Sequence, residues 1–215
     1  MIARTIAGLT VVGLVLAGCT TKVSGRPSTA PGSESSKTPA ASTSGTAKPL
    51  QHLACPHVVD LRAHLAYDCV TDALTRGISP IWTVKLERPA DVNWTMDEGS
   101  TDVTGVKGET PAAAARRMVK RMIDELYGKP LPKTKTEQDA DITVGSAHGH
   151  LIQTLITIDP AYREEQHLRV QQERLWIAVV PVAPGKLSGW YTSVPDLLKG
   201  LWAGVPNTIK TLQVV

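Results

Sequence analysis

The segment Val144-Gly145-Ser146-Ala147-His148-Gly149 sets a hydroxyl two residues from an imidazole, the two groups from which nucleophilic catalysis is built. It lacks the glycine on each side of Ser that a nucleophile elbow requires, and triad members meet in space rather than in sequence, so no reaction follows from it. His148 and His150 share a face at the two-residue period of a strand, which makes them a candidate metal pair. With no third ligand at a recognisable spacing, and with Gly149 suggesting a turn, they are expected to be ordinary exposed histidines. Asp139 and Asp141 are paired acids of the kind glycoside hydrolysis uses. Two acids two apart in an expected loop are too common to carry that chemistry. Glu164, Glu165 and His167 follow Asp159-Pro160 in a polar stretch and read as solvated. The chain has no phosphate-cradling glycine loop, zinc signature or dinucleotide fingerprint. No catalytic residue, metal ligand or cofactor is assigned, and a non-enzymatic protein is expected.

The cysteines point to anchoring and cross-linking. Cys19 closes Leu16-Ala17-Gly18-Cys19, behind a cationic start at Arg4 and an apolar run from Ile6 to Leu16, 11 residues in length. A run that short is the core of an export signal rather than a membrane span. The four residues resemble the bacterial lipobox, where cleavage before the Cys frees a residue whose sulfur is acylated with diacylglycerol. Residues 1–18 are therefore expected to be a lipoprotein signal peptide and Cys19 an acylated anchor, on the extracytoplasmic face of the cell membrane. An ordinary secretory signal with a chance Cys is the competing reading. Each buried methylene contributes about 0.8 kcal/mol, and two acyl chains hold a protein durably. Cys55 and Cys69 would then face an oxidising compartment, where a disulfide closing a loop of about 15 residues contributes about 3 kcal/mol. Their spacing fits neither a redox Cys-x-x-Cys nor a zinc half-site.

Residues 20–49 contain seven Ser, six Thr and four Pro, with Val23 the only larger aliphatic, a composition that cannot bury a core. Residues 19–49 are expected to form a disordered stalk that averages about 30 Å end to end. Residues 50–215 remain for a single globular domain. The formal net charge of +3 comes from the signal and stalk, which hold +4 through Arg4, Lys22, Arg26, Lys37 and Lys48 against Glu34. The domain carries 18 basic and 19 acidic residues and lacks the footprint of a nucleic-acid binder.

Within the domain, Ile81–Glu87 reads as a strand stopped by Pro89, with Asp91–Met96 continuing or pairing with it. A helix follows, capped by Thr110, begun by Pro111 and ended by Gly128. Ala115, Met118, Val119, Met122, Ile123 and Leu126 recur at helical spacing, opposite Arg116, Arg117, Lys120 and Arg121. That basic face suits anionic lipid or an acidic partner, but Asp124 and Glu125 dilute it, and a solvated face is expected. Residues 128–138 read as a loop. Strand-like runs follow at Ile142–Val144, Leu151–Ile158, Leu168–Val182 and Leu187–Val194, with 175–180 apolar on both faces like a central strand. Pro195 and Asp196 open a terminal helix that Pro206 should break. This order predicts an α+β fold, a largely antiparallel sheet flanked by helices.

Phe is absent, so five Trp and four Tyr carry the aromatic packing. Most should serve the core; Trp190 and Tyr191, beside Gly189, are the candidate exposed binding patch. The lipobox, the Ser/Thr/Pro stalk, Trp190-Tyr191-Thr192-Ser193-Val194-Pro195, the helix after it and the tail Thr211-Leu212-Gln213-Val214-Val215 together resemble actinobacterial, mycobacterial-type cell-envelope lipoproteins with a PsbP-like domain. That resemblance implies an α/β/α sandwich over about residues 60–215. It also implies a non-catalytic binding or accessory module for envelope lipid transport or secretion machinery, with an envelope protein or a lipid as partner. A hydrolase of envelope lipids or polymers is the alternative, and would need a polar cluster around Ser146, His148 and His150. A lipid carrier would need an apolar cavity between helix 111–127 and the sheet.

Overall fold

The computed structural model describes residues 57–215 except 78, 80–82 and 128. All of these belong to the compact unit Lys48–Val215. The signal, Cys19, the stalk and Cys55 lie outside the described residues.

Three short strands come first: β1 (Val58–Asp60), β2 (Leu65–Tyr67) and β3 (Thr75–Arg76). The hairpin β4 (Val84–Asp91) and β5 (Trp94–Asp102) precedes helix α1 (Pro111–Leu126). Then come β6 (Lys133–Val144), β7 (Ala147–Thr157), the short helix α2 (Pro160–Glu165), β8 (Gln172–Ala183) and β9 (Lys186–Pro195). A 3₁₀ turn at Asp196–Leu201, helix α3 (Val205–Thr211) and β10 (Gln213–Val214) close the chain. A seven-stranded sheet runs β3-β4-β5-β9-β8-β7-β6, and β1-β2-β10 form a second, small sheet. Every pairing is antiparallel.

Alternation along β8 builds a core on each side. Leu175, Ile177 and Val179 join Ala114, Ala115, Met118 and Met122 beneath α1. Trp176, Ala178 and Val180 pack on the opposite face with Leu65, Tyr67, Val205 and Leu212 from the small sheet and α3. The expected central strand, covered on both sides, is β8. Helix α1 starts where its sequence indicates: Thr110 Oγ1 accepts from the Ala113 amide at 3.2 Å, and Pro111 occupies the first turn. Its end at Gly128 lies outside the described residues. Close packing of α1 on the sheet depends on Gly189, where an added Cβ would meet Met118 Sδ at 2.7 Å.

Four expectations need correction. Strand β4 runs through Pro89, which sits exposed at a register shift beyond the reach of β3, where a missing amide donor disrupts no ladder. The expected loop 128–138 is instead largely β6, beginning at Lys133. Its first residues are exposed on both faces, so no hydrophobic alternation marks them, and pairing with β7 holds them. Gly149 lies within β7 rather than in a turn, and a Cβ there would meet Val179 O at 2.6 Å. The terminal helix is split, because Leu198 leaves helical geometry (φ −114°, ψ 22°). Pro206 begins α3 rather than breaking it, since a first-turn residue has no intrahelical N–H bond to lose.

Candidate functional site

The apolar stripe of α1 is only partly covered by the sheet beneath it. Ala114, Ala115, Met118 and Met122 are buried, whereas Val119 and Ile123 are only partly covered. With Leu131, Pro132 and Ile152 they floor a groove of about 520 Å³ between α1 and the β6–β7 edge, rimmed by Arg116, Lys120, Asp124 and Asp139. Leu131 is 49% exposed at its mouth. The basic face of α1 is paired: Arg116 with Asp139, Arg117 with Glu109, Lys120 with Asp124 and Arg121 with Glu125.

One wall of the groove is held by a charged relay. Arg116 donates from Nε and Nη2 to Asp139 at 3.1 and 2.9 Å. The same carboxylate lies 2.6 Å from His150 Nε2, while His150 Nδ1 lies 2.8 Å from Asp141 Oδ1. Each ring nitrogen of His150 thus faces a carboxylate oxygen. Hydrogen bonds from His150, then from Arg116, hold Asp139 below the usual carboxylate range. The acids expected in a loop thus project from β6 onto a histidine that is buried rather than exposed.

A second, more polar pocket of about 260 Å³ lies below α1, lined among others by Lys85, Trp94, Asp97, Tyr127, Tyr162, Glu173 and Ser193. Glu173 is 3% exposed. Its Oε2 accepts from Tyr127 Oη at 2.5 Å and Trp94 Nε1 at 3.2 Å, and its Oε1 from Ser193 Oγ. Burial pushes the Glu173 carboxyl up to about 7 and also raises Asp97, which Lys85 partly offsets. Across the sheet Glu98, fully buried, accepts from the Val70 amide at 3.0 Å and Trp190 Nε1 at 3.2 Å, and burial pushes it up to about 8.

Trp190 and Tyr191 do not form an exposed patch. Both are 0% exposed, because β9 is a central strand flanked by β5 and β8. Ser146 lies exposed in the β6–β7 turn, whereas His150 is four residues farther along, roughly 13 Å at strand spacing. The structure therefore does not gather Ser146 and His150 into one site. His148 is exposed, as are Glu164, Glu165 and His167. Cys69 lies among the described residues, whereas Cys55, its expected disulfide partner, does not. Among the described residues no group of three His, Cys, Asp or Glu is placed to hold a metal, and no helix is long and apolar enough to cross a membrane. Glu98 and Glu173 belong to no sequence motif that marks them. The available signal was parity, since Glu173 shares the face of Leu175 and Ile177.

No protein-family profile matches the chain, and no curated protein matches it. Among solved structures, cyanobacterial PsbP (CyanoP) from Synechocystis sp. PCC 6803 superposes with a TM-score of 0.51 at 10% identity, covering 74% of this chain and 91% of that one. The domain is PsbP-like in fold. The Ran-binding protein Mog1p of Saccharomyces cerevisiae aligns more loosely, with a TM-score of 0.45, 9% identity, and 71% and 90% coverage. At these identities the PsbP-like domain shares architecture alone, and its function must be argued from its own sites.

Proposed function

We propose that the protein is a lipid-anchored, non-catalytic binding or accessory module of the bacterial cell envelope, of the actinobacterial type, serving envelope lipid transport or secretion machinery. In this reading the diacylglyceryl group on Cys19 holds it on the extracytoplasmic face of the membrane, and residues 20–49 give the PsbP-like domain its reach. The observation that supports a binding role is the groove between α1 and β6–β7, where Val119, Ile123 and Leu131 remain available to an apolar partner. Pairing of the basic residues of α1 directs recognition toward shape and apolar contact.

Two measurements test it. Cys19→Ala should release the protein from the membrane fraction, and retention there would remove the anchor from the reading. Crosslinking on intact cells should capture an envelope protein, or mass spectrometry a copurifying lipid, and Ile123→Asp in the groove floor should abolish that capture. Capture unchanged by Ile123→Asp would separate the groove from the function.

A further inference from the structure

The Glu173 pocket combines features that the groove lacks. Only neutral donors converge on its carboxylate: Tyr127 Oη and Trp94 Nε1 on Oε2, and Ser193 Oγ on Oε1. A carboxylate offers about four lone-pair positions, so one on Oε1 stays open. Among the described residues no Lys, Arg or His pairs with Glu173. Lys85, the ammonium in the pocket lining, is committed to Glu87 at 2.5 Å and Asp97 at 3.6 Å.

The walls are aromatic. Trp94, Tyr127 and Tyr162 line the same pocket in a chain that has no Phe, and the Trp94 and Tyr127 rings lie 5.7 Å apart. A buried carboxylate without a counter-ion is costly, and aromatic π-systems attract cations. A cationic ligand answers both conditions at once. We propose that this pocket is a recognition site for an organic ammonium group, primary or quaternary, ion-paired with Glu173 and enclosed by Trp94, Tyr127 and Tyr162. Its volume of about 260 Å³ suits a small head such as choline or ethanolamine. The group arrives either on a free amine or on the headgroup of an amino-phospholipid.

Burial of Glu173 makes the site sensitive to pH. Its carboxyl titrates near 7, so its charge grows about tenfold between pH 6 and pH 8, and ammonium affinity rises in step. Asp97 faces the pocket from β5, Lys85 from β4 with Glu87 beyond it, Tyr127 from the end of α1 and Tyr162 from α2.

The test uses the full chain carrying Cys19→Ala, titrated with choline, ethanolamine and the uncharged choline isostere 3,3-dimethyl-1-butanol, followed by the Trp94 indole N–H resonance. Saturable binding of an ammonium probe, about tenfold or more tighter than the isostere, is expected. Glu173→Gln keeps one accepting oxygen and removes the charge, and should weaken binding about tenfold and abolish its pH dependence. Trp94→Leu should cost about fivefold. Flotation with phosphatidylcholine or phosphatidylethanolamine vesicles, reversed by soluble choline, assigns the headgroup as the source; binding of the soluble probes without flotation assigns a free amine. No saturable shift, equal binding of the isostere, or unchanged affinity and pH dependence in Glu173→Gln would each overturn the proposal. The isostere comparison on the otherwise unaltered chain stands even if a pocket variant fails to fold.

Discussion

Glu98 and Glu173 sit in the interior with neutral donors as partners, and that combination sets the sign of their effect on stability. Burial raises both carboxyls from an ordinary value of 4.5, to about 8 and about 7. The folded chain then holds protons that the unfolded chain releases, so from about pH 4.5 upward these two groups make folding less favourable, fully so above pH 8. Glu98→Gln retains an acceptor and removes the charge. Because both Glu98 oxygens accept from N–H groups, the new amide donor costs a hydrogen bond at every pH, so the test is the difference: the effect on urea stability is expected to be more favourable at pH 8.5 than near pH 4.5 by up to about 3 kcal/mol. An equal effect at both values would show that burial does not shift Glu98. Trp190 meets Glu98 and packs edge-on against Tyr67, with ring centroids 6.2 Å apart. Trp190→Ala should cost about 3–5 kcal/mol as a core cavity, read from the same unfolding curves. The composition of β9 marks its aromatic residues as candidates for a surface or a core, and only its neighbours β5 and β8 place them inside.

Helix α1 is the element most fully written into its own residues, because capping, first-turn proline and apolar spacing are local. Thr110→Ala should lower stability by about 1 kcal/mol through loss of the bond to the Ala113 amide, measurable by thermal or urea unfolding. Strand β6 is the opposite case: over Lys133–Asp139 it is exposed on both faces, and pairing with β7 specifies it there rather than any periodicity of its own. The joint between β7 and β8 depends on Gly149, whose missing side chain lets Val179 O and Val180 Cγ1 approach. Gly149→Ala is expected to cost more than about 2 kcal/mol, since the obstructing carbonyl is part of the ladder and cannot swing aside. Unfolding midpoints within a few tenths of a kcal/mol of the unaltered protein would contradict that close approach. Pro206 shows why a breaker must be read by position: the same ring that ends a helix interior starts α3.

At the scale of the whole molecule, two cores lie on either side of one seven-stranded sheet, and the small sheet β1-β2-β10 ties the first described residues to the last. Cys69 follows β2 in that region and packs against the second core. Pairing with Cys55 would fasten the start of the domain there. The double substitution Cys55→Ser and Cys69→Ser should lower stability by about 3 kcal/mol, and reducing agent should reproduce the loss in the unaltered protein. Non-reducing peptide mapping that found Cys69 joined to another partner would exclude this pairing. The sequence by itself determined the partition of charge between residues 1–49 and 50–215, the helix from Pro111 and the α+β class, because each depends on composition or on residues a few positions apart. Only the tertiary structure decided that Trp190 is core, that His150 joins Asp139 and Asp141, and that Glu173 closes an aromatic pocket. Those outcomes rest on pairings between distant segments, such as Trp190 with Glu98 across 92 positions, which local spacing does not encode.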